Sequence, residues 1–284
     1  MKRYDALPIF VPLHVESYYQ TMIGVMRWMV EIGRIEIATE CSLLSSHLAY
    51  PHEGHFECTL HMVEYLKWKH NSRLFFDPTY PDIDFDTFND GAEWKTFYGD
   101  VTKAITPNVP EPRGKSVDLR MWVDSDHSGE KMTRRSRTGY FILLNTALID
   151  WLSKKQATIE GSVFGAELVA MKTGVEALRG IRYKLRMMGV PMTGPTYIYG
   201  DNMSVIYNTS RPESTLKNKI NSICYHAVHK AVASGKCLTT HCKNGDNYSD
   251  MMTKVLYGKK KRENVACILY DIWDHEDGPE TAKG

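Results

Sequence analysis

The sequence predicts an α/β fold, a mixed sheet flanked by helices and preceded by a mainly helical region. Three observations lead there. Short apolar runs cluster between residues 118 and 152, a helical repeat runs from 163 to 188, and short strands and helices then follow to residue 256. Helices packed around one sheet would bury all of these apolar faces together.

In the first region, 1–90, Tyr19, Met22, Ile23, Met26, Met29 and Ile32 recur at mainly three- and four-residue intervals and predict a helix. Cys41, Leu44 and Leu48 predict a second, stopped by Pro51. Phe56, Leu60, Val63 and Leu66 predict a third, ended by Asn71 and Ser72. Residues 73–76 read as a short strand ended by Asp77 and Pro78. Pro107, Pro110, Pro112 and Gly114 then mark a connector, because proline disfavours a continued helix or central strand. The expected division is a helical part at 1–101, a connector at 102–116, an α/β domain at 117–258 and a basic-then-acidic tail at 259–284.

Within the α/β part, 118–123 is the first strand. Residues 140–144 and 148–152 form a hairpin around Asn145, Thr146 and Ala147. Phe164, Leu168, Met171, Val175, Leu178 and Leu185 give the long helix one apolar face, and Gly189 stops it. A strand at 197–199 runs into Gly200 and Asp201. Helices at 202–208 and 218–234, a strand at 238–242 and a helix at 248–256 complete the order.

Composition narrows the class. With 43% hydrophobic and 24% charged residues in 284, the chain is that of a folded protein. Its net charge of +1 provides no global basic field. Basic residues cluster locally, at Lys131, Arg134, Arg135 and Arg137 and at Lys259, Lys260, Lys261 and Arg262. The six cysteines show no CxxC spacing and read as reduced thiols of an intracellular protein, cytoplasmic or nuclear. His241 beside Cys242 suggests zinc, but no second ligand pair stands at finger spacing. No signal-peptide pattern and no membrane-length apolar run occurs, so a membrane partner is not expected.

Two acids end candidate strands: Asp124 after Val123, and Asp201 after Gly200. On neighbouring strands they would lie side by side and repel unless a cation shares them. Glu167 sits on the first turns of the long helix among apolar residues, and Asp250 opens the last helix. An all-carboxylate set suits hard cations, Mg2+ or Mn2+. Two such ions about 4 Å apart can hold a phosphodiester between them. The bland alternative is that these acids are solvated surface groups or helix caps. Asp126 shares the strand parity of Asp124, but a turn around His127 and Gly129 should carry it outward.

The wording of these segments favours the metal site. Val123-Asp124-Ser125-Asp126-His127-Ser128-Gly129, followed by Arg134, Arg135, Ser136, Arg137, Thr138, Gly139 and Tyr140, resembles the opening of the ribonuclease H domain of copia-type retrotransposon polyproteins. Trp151, Ser153, Lys154, Lys155 and Gln156 resemble its hairpin, and Ala166-Glu167-Leu168-Val169-Ala170 its acidic helix. Gly200-Asp201-Asn202 and Ser249-Asp250-Met251-Met252-Thr253-Lys254 resemble its later acidic segments. The resemblance implies a ribonuclease H-like fold. It places Asp124, Glu167, Asp201 and Asp250 at four metal-binding, catalytic positions, with Mg2+ or Mn2+ as cofactor and an RNA–DNA hybrid as substrate. The family commonly has a histidine at the start of the helix after the third acid, where this chain has Lys219, Ile220 and Asn221. His226 keeps a family-like position further along; it either assists product release and substrate orientation or is a packed or capping histidine.

The first region resembles the end of the reverse transcriptase domain of the same polyproteins, through Tyr19, Ile23, Gly24, Arg27 and Trp28, then Leu44, Ser45 and Pro51. His61 through Leu66, His70, Leu74 and Phe76 resemble the segment leading out of the polymerase. The polymerase's paired metal-binding aspartates are absent. The missing polymerase part of a parent polyprotein is therefore an expected partner. The resemblance spans about 18 to 256, and only the nuclease part is complete.

A nuclease of this kind grips its hybrid through phosphates and reads the ribose 2'-OH. Arg134, Arg135 and Arg137 are the first candidates for phosphate contacts, with a solvated turn as alternative; Lys154 and Lys155 follow. Asn202 either bonds the RNA strand or caps the next helix. The chemistry implied is hydrolysis by metal-activated water, leaving 3'-hydroxyl and 5'-phosphate ends. Two other functions compete: an inactive retroelement-derived nucleic-acid-binding or structural protein, and a zinc-dependent protein-binding module using His241 and cysteines.

Overall fold

A computed structural model of the chain describes residues 12–88, 93–101, 107–216, 219–243 and 245–256. The chain forms two compact units, which part between Phe75 and Phe76 and again between Lys254 and Val255. The tail expected at 259–284 lies outside the described residues.

In the first unit, α1 (Leu13–Glu31), α2 (Ala38–Leu44) and α3 (Glu53–Trp68) follow the predicted order. Tyr19, Ile23 and Met26 of α1 pack against Ile37, Cys41, Leu44 and Met62. The Tyr19 hydroxyl donates to the Leu44 carbonyl at 2.7 Å, so the buried ring keeps its polar end satisfied. The buried face of α3 differs from the expected one. Thr59 and Met62 turn inward, whereas Leu60 and Val63 are exposed. Residues 73–76 form no strand.

The second unit has the expected α/β class: a mixed sheet flanked by helices. Its strands are β1 (Leu119–Asp126), β2 (Arg137–Leu144), β3 (Ala147–Lys155), β4 (Thr196–Gly200) and β5 (Cys237–His241). They lie in the order β3-β2-β1-β4-β5; β1–β2 and β2–β3 are antiparallel, and β1–β4 and β4–β5 parallel. The parallel pairs need crossovers. Their helices are α5 (Val163–Met187) between β3 and β4, and α6 (Met203–Ser210) and α7 (Ser222–Ala233) between β4 and β5. The short α4 (Trp94–Tyr98) and α8 (Asp250–Thr253) stand at either end of the unit's sequence.

Period decides which faces meet. Leu119, Met121 and Val123 alternate along β1 onto the face covered by α5. There they meet Leu168, Met171, Val175 and Leu178, spaced at three and four residues. Ser162 caps α5, its hydroxyl accepting from the Gly165 N–H at 3.1 Å.

The second unit begins at Phe76, ahead of the connector expected at 102–116. Ile83 and Phe88 pack with Tyr197 of β4, and Trp94 of α4 lies in the main core. The Thr240 hydroxyl donates to the Thr87 carbonyl at 2.8 Å. Arg113 and Val117 donate backbone bonds to Gly189 and Pro191. The proline-rich stretch thus lies inside the second unit. Its prolines break secondary structure without breaking the core.

Among the described residues, no helix is long and apolar enough to cross a membrane.

Candidate functional site

Because β1 and β4 are parallel neighbours, the acids at their carboxyl ends fall side by side. Asp124 lies near the end of β1, and Asp201 directly follows β4. Glu167 is early in α5 beside Leu168, a core residue, and this turn of helix brings it onto the sheet. One carboxylate oxygen from each of Asp124, Glu167 and Asp201 lies within 4.8 Å of the others. Asp124 and Glu167 are buried and Asp201 is partly exposed.

Without a cation such a cluster resists ionisation. Burial pushes the Glu167 carboxyl up to about 9, and repulsion from Asp124 and Asp201 adds to it; a Ser125 backbone N–H acts the other way. Burial also raises Asp124, to about 7. The Lys254 ammonium and Thr253 hydroxyl oppose this, while Asp201 and Asp250 reinforce it.

The last segment closes the site. The Asn247 amide donates to the Val123 carbonyl at 3.1 Å, fastening the loop before α8 to β1. The Thr253 hydroxyl donates to Asp124 Oδ2. Asp124 Oδ1 is buried without a hydrogen-bond partner. Asp250 is buried too, but it is outside the three-carboxylate group. Its Oδ1 lies 2.7 Å from Lys254 Nζ, which is 3.3 Å from Asp124 Oδ2. Three of the four expected ligands therefore converge, and the fourth is joined to Asp124 through a lysine.

The other candidates are placed as follows. His226 is exposed on α7, its Nδ1 3.2 Å from the Tyr98 hydroxyl. Arg134 and Lys154 are exposed and Arg135 is half-buried. Arg137 is only 2% exposed, which removes it as a phosphate contact. The ladder pairs it with Asp126, whose carboxylate accepts its backbone N–H, and its guanidinium feels the charges of Asp126 and Glu130. Lys155 is 3.6 Å from Glu130. Asn202 caps α6, accepting from the Ser204 and Val205 N–H groups at 3.1 and 3.2 Å.

Asp126 is outside the three-carboxylate group. Its carboxylate lies so close to Gly129 that a Cβ there would stand 1.8 Å from Oδ2. Among the described residues His241 and Cys242 join no metal-capable group, and the five described cysteines are unpaired.

His241 and Lys243 have a position that sequence reasoning missed. His241 pairs with Gly200 across the β4–β5 ladder, with Nε2 3.1 Å from the Asp201 carbonyl oxygen. His241 and Lys243 line a cavity of about 490 Å³ together with Asp201, Asn202, Met203 and Ser204. Only the parallel register brings them there.

No family model matches the chain. Among solved structures, LC11-RNase H1 in complex with RNA/DNA hybrid is 12% identical with a TM-score of 0.39, the match covering 48% of this chain and 94% of that one. The retrovirus-related Pol polyprotein from transposon RE1 of Arabidopsis thaliana is 24% identical over 238 residues, 84% of this chain. That from transposon RE2 of the same plant is 28% identical over 144 residues, 51% of this chain. The chain spans only 14% and 10% of the lengths of these two relatives. It is distantly related to retrotransposon Pol sequences.

Proposed function

We propose that the second unit is a metal-dependent nuclease that hydrolyses the RNA strand of RNA–DNA hybrids. The observation that carries this reading is the convergence of Asp124, Glu167 and Asp201, with ligand oxygens within 4.8 Å of one another. The motif resemblance around each of these residues, and around Asp250, supports it.

The residues fit a hard divalent cation, Mg2+ or Mn2+. All the donors are carboxylate oxygens. Asp124 Oδ1 is a buried acceptor without a hydrogen bond, and burial with mutual repulsion keeps Asp124 and Glu167 reluctant to ionise alone. Asp124, Glu167 and Asp201 would hold the ion. The chemistry it supplies when bound is activation of water and stabilisation of charge on phosphodiester oxygens. Thr253 and Ser125 orient Asp124 and Glu167 respectively through hydrogen bonds. Arg134 and Lys154, which are exposed, and the half-buried Arg135 would make the phosphate contacts, which fix register without reading sequence. Cleavage would leave 3'-hydroxyl and 5'-phosphate ends. The polymerase part of a parent polyprotein is the proposed protein partner.

The test is cleavage of a hybrid in Mg2+ by the purified chain, with duplex DNA left uncut. Asp201→Asn should lower turnover by about 10²-fold or more while hybrid binding changes little. Arg135→Ala should instead weaken binding and its salt dependence. Equal cleavage by the parent and the Asp201 variant would identify a contaminating nuclease. Hybrid binding by a folded parent that does not cleave would select the inactive, nucleic-acid-binding alternative.

A further inference from the structure

Lys254 lies between Asp124, a member of the carboxylate group, and Asp250, which is outside it. Its ammonium is 2.7 Å from Asp250 Oδ1 and 3.3 Å from Asp124 Oδ2. Both carboxylates are buried, whereas the lysine side chain is 45% exposed. The backbone fixes this reach: Lys254 follows Asp250 by one helical turn, and its N–H donates to the Asp250 carbonyl at 2.9 Å.

The two oxygens of Asp124 are used differently. Oδ2 accepts from the Thr253 hydroxyl and faces Lys254, while Oδ1 is buried without a hydrogen-bond partner. One oxygen already has a cation, and the other has none. A hard ion shared with Glu167 and Asp201 suits the latter. A second divalent ion between Asp124 and Asp250 would have to enter where a positive charge already stands, and like charges at such range repel strongly.

We infer that Lys254 is the second cation of this site, competing with a second divalent ion for the gap between Asp124 and Asp250. The inference rests on the metal-site reading above. One divalent ion then binds at Asp124, Glu167 and Asp201, and a second enters only by displacing the lysine. Lys254 is a positioning residue here: it holds Asp250 against Asp124 and sets how many ions the site retains.

The test counts Mn2+ bound to the full chain without nucleic acid, from the electron paramagnetic resonance signal of free ion. The parent should retain one ion tightly. Lys254→Met keeps an apolar stem and removes the charge, and should bind a second ion about tenfold or more tighter than the parent does. Adding Asp250→Asn to Lys254→Met should abolish that gain, and Asp201→Asn should weaken the first ion. Lys254→Arg keeps the charge and should keep the single-ion stoichiometry, which provides the measurement if the methionine variant does not fold. Two ions of equal affinity in the parent, two tight ions in Lys254→Arg, or an unchanged second-ion affinity in folded Lys254→Met would overturn the inference. No ion on any of these proteins would defeat the metal-site reading itself and this inference with it.

Discussion

Asp124 and Glu167 show how far a single ionisable group departs from its solution behaviour once a fold encloses it. Both carboxyls titrate above the ordinary range, Asp124 at about 7 and Glu167 at about 9, with burial as the leading cause. In the unfolded chain they return to about 4. The folded state therefore holds protons that the unfolded state releases. The stabilisation from these two groups is complete below about pH 4 and is lost as pH rises through 7 and then 9. A divalent ion reverses the preference by stabilising the ionised form. Melting temperatures of the metal-free protein should thus fall as pH rises from about 4 to about 9, a loss that Glu167→Gln reduces. Added Mg2+ should raise the melting temperature of the parent more at the alkaline end than at the acid end. A Glu167→Gln protein with the parent's full alkaline loss would show that Glu167 is ionised without metal.

Among the elements, α8 is the one whose placement the site depends on most, and it is only four residues long. Its own turn contributes little stability, so it must be held by tertiary contacts. Gly139 of β2 makes room for it, opposite Asp124 in the ladder. A Cβ there would stand 2.6 Å from Met252 Cβ, 2.7 Å from Thr253 Cγ2 and 3.1 Å from the Ser249 carbonyl. The first is fixed to backbone and the last belongs to it, so the helix would have to move. Gly139→Ala should cost about 1–3 kcal/mol in denaturant unfolding, the usual range for overpacking. It should also weaken Mn2+ binding by displacing Thr253 from Asp124. Parent-like stability in that variant would mean that α8 is not seated on β2. The sequence indicated an acidic helix at 248–256, but the glycine that admits it is separated from it by more than a hundred residues and carries no local sign of that role.

For the molecule as a whole, the segment from 76 to 101 decides what can fold as a unit. Ile83, Phe88 and Trp94 are each at most 8% exposed, and they bury against parts of the second unit. Burial of one large apolar side chain contributes about 1.5–3 kcal/mol, an upper figure because unfolded chains already bury some surface. A fragment covering 117–256 should consequently be less stable than one covering 76–256 by several kcal/mol, roughly 4–8. Urea denaturation of the two fragments measures the difference. Equal midpoints and slopes would show that the earlier segment is dispensable and would restore the boundary at the prolines.

Sequence alone determined the order of the second unit's principal elements and the locations of its acids, because both depend on local pattern. Strands with apolar faces ran into Asp124 and Asp201, and the apolar repeat of α5 carried Glu167. The tertiary structure decided everything that depends on which strands are neighbours. Pairing of β1 with β2 buried Arg137 beside Asp126, and pairing of β4 with β5 brought His241 to Asp201. Packing likewise joined Ile83, Phe88 and Trp94 to the α/β unit, although no periodicity marks them, and turned Lys254 onto Asp124 and Asp250. Periodicity reports the face an element presents to a core. It carries no information about the partner across that face, and proximity between distant residues is set by that partner.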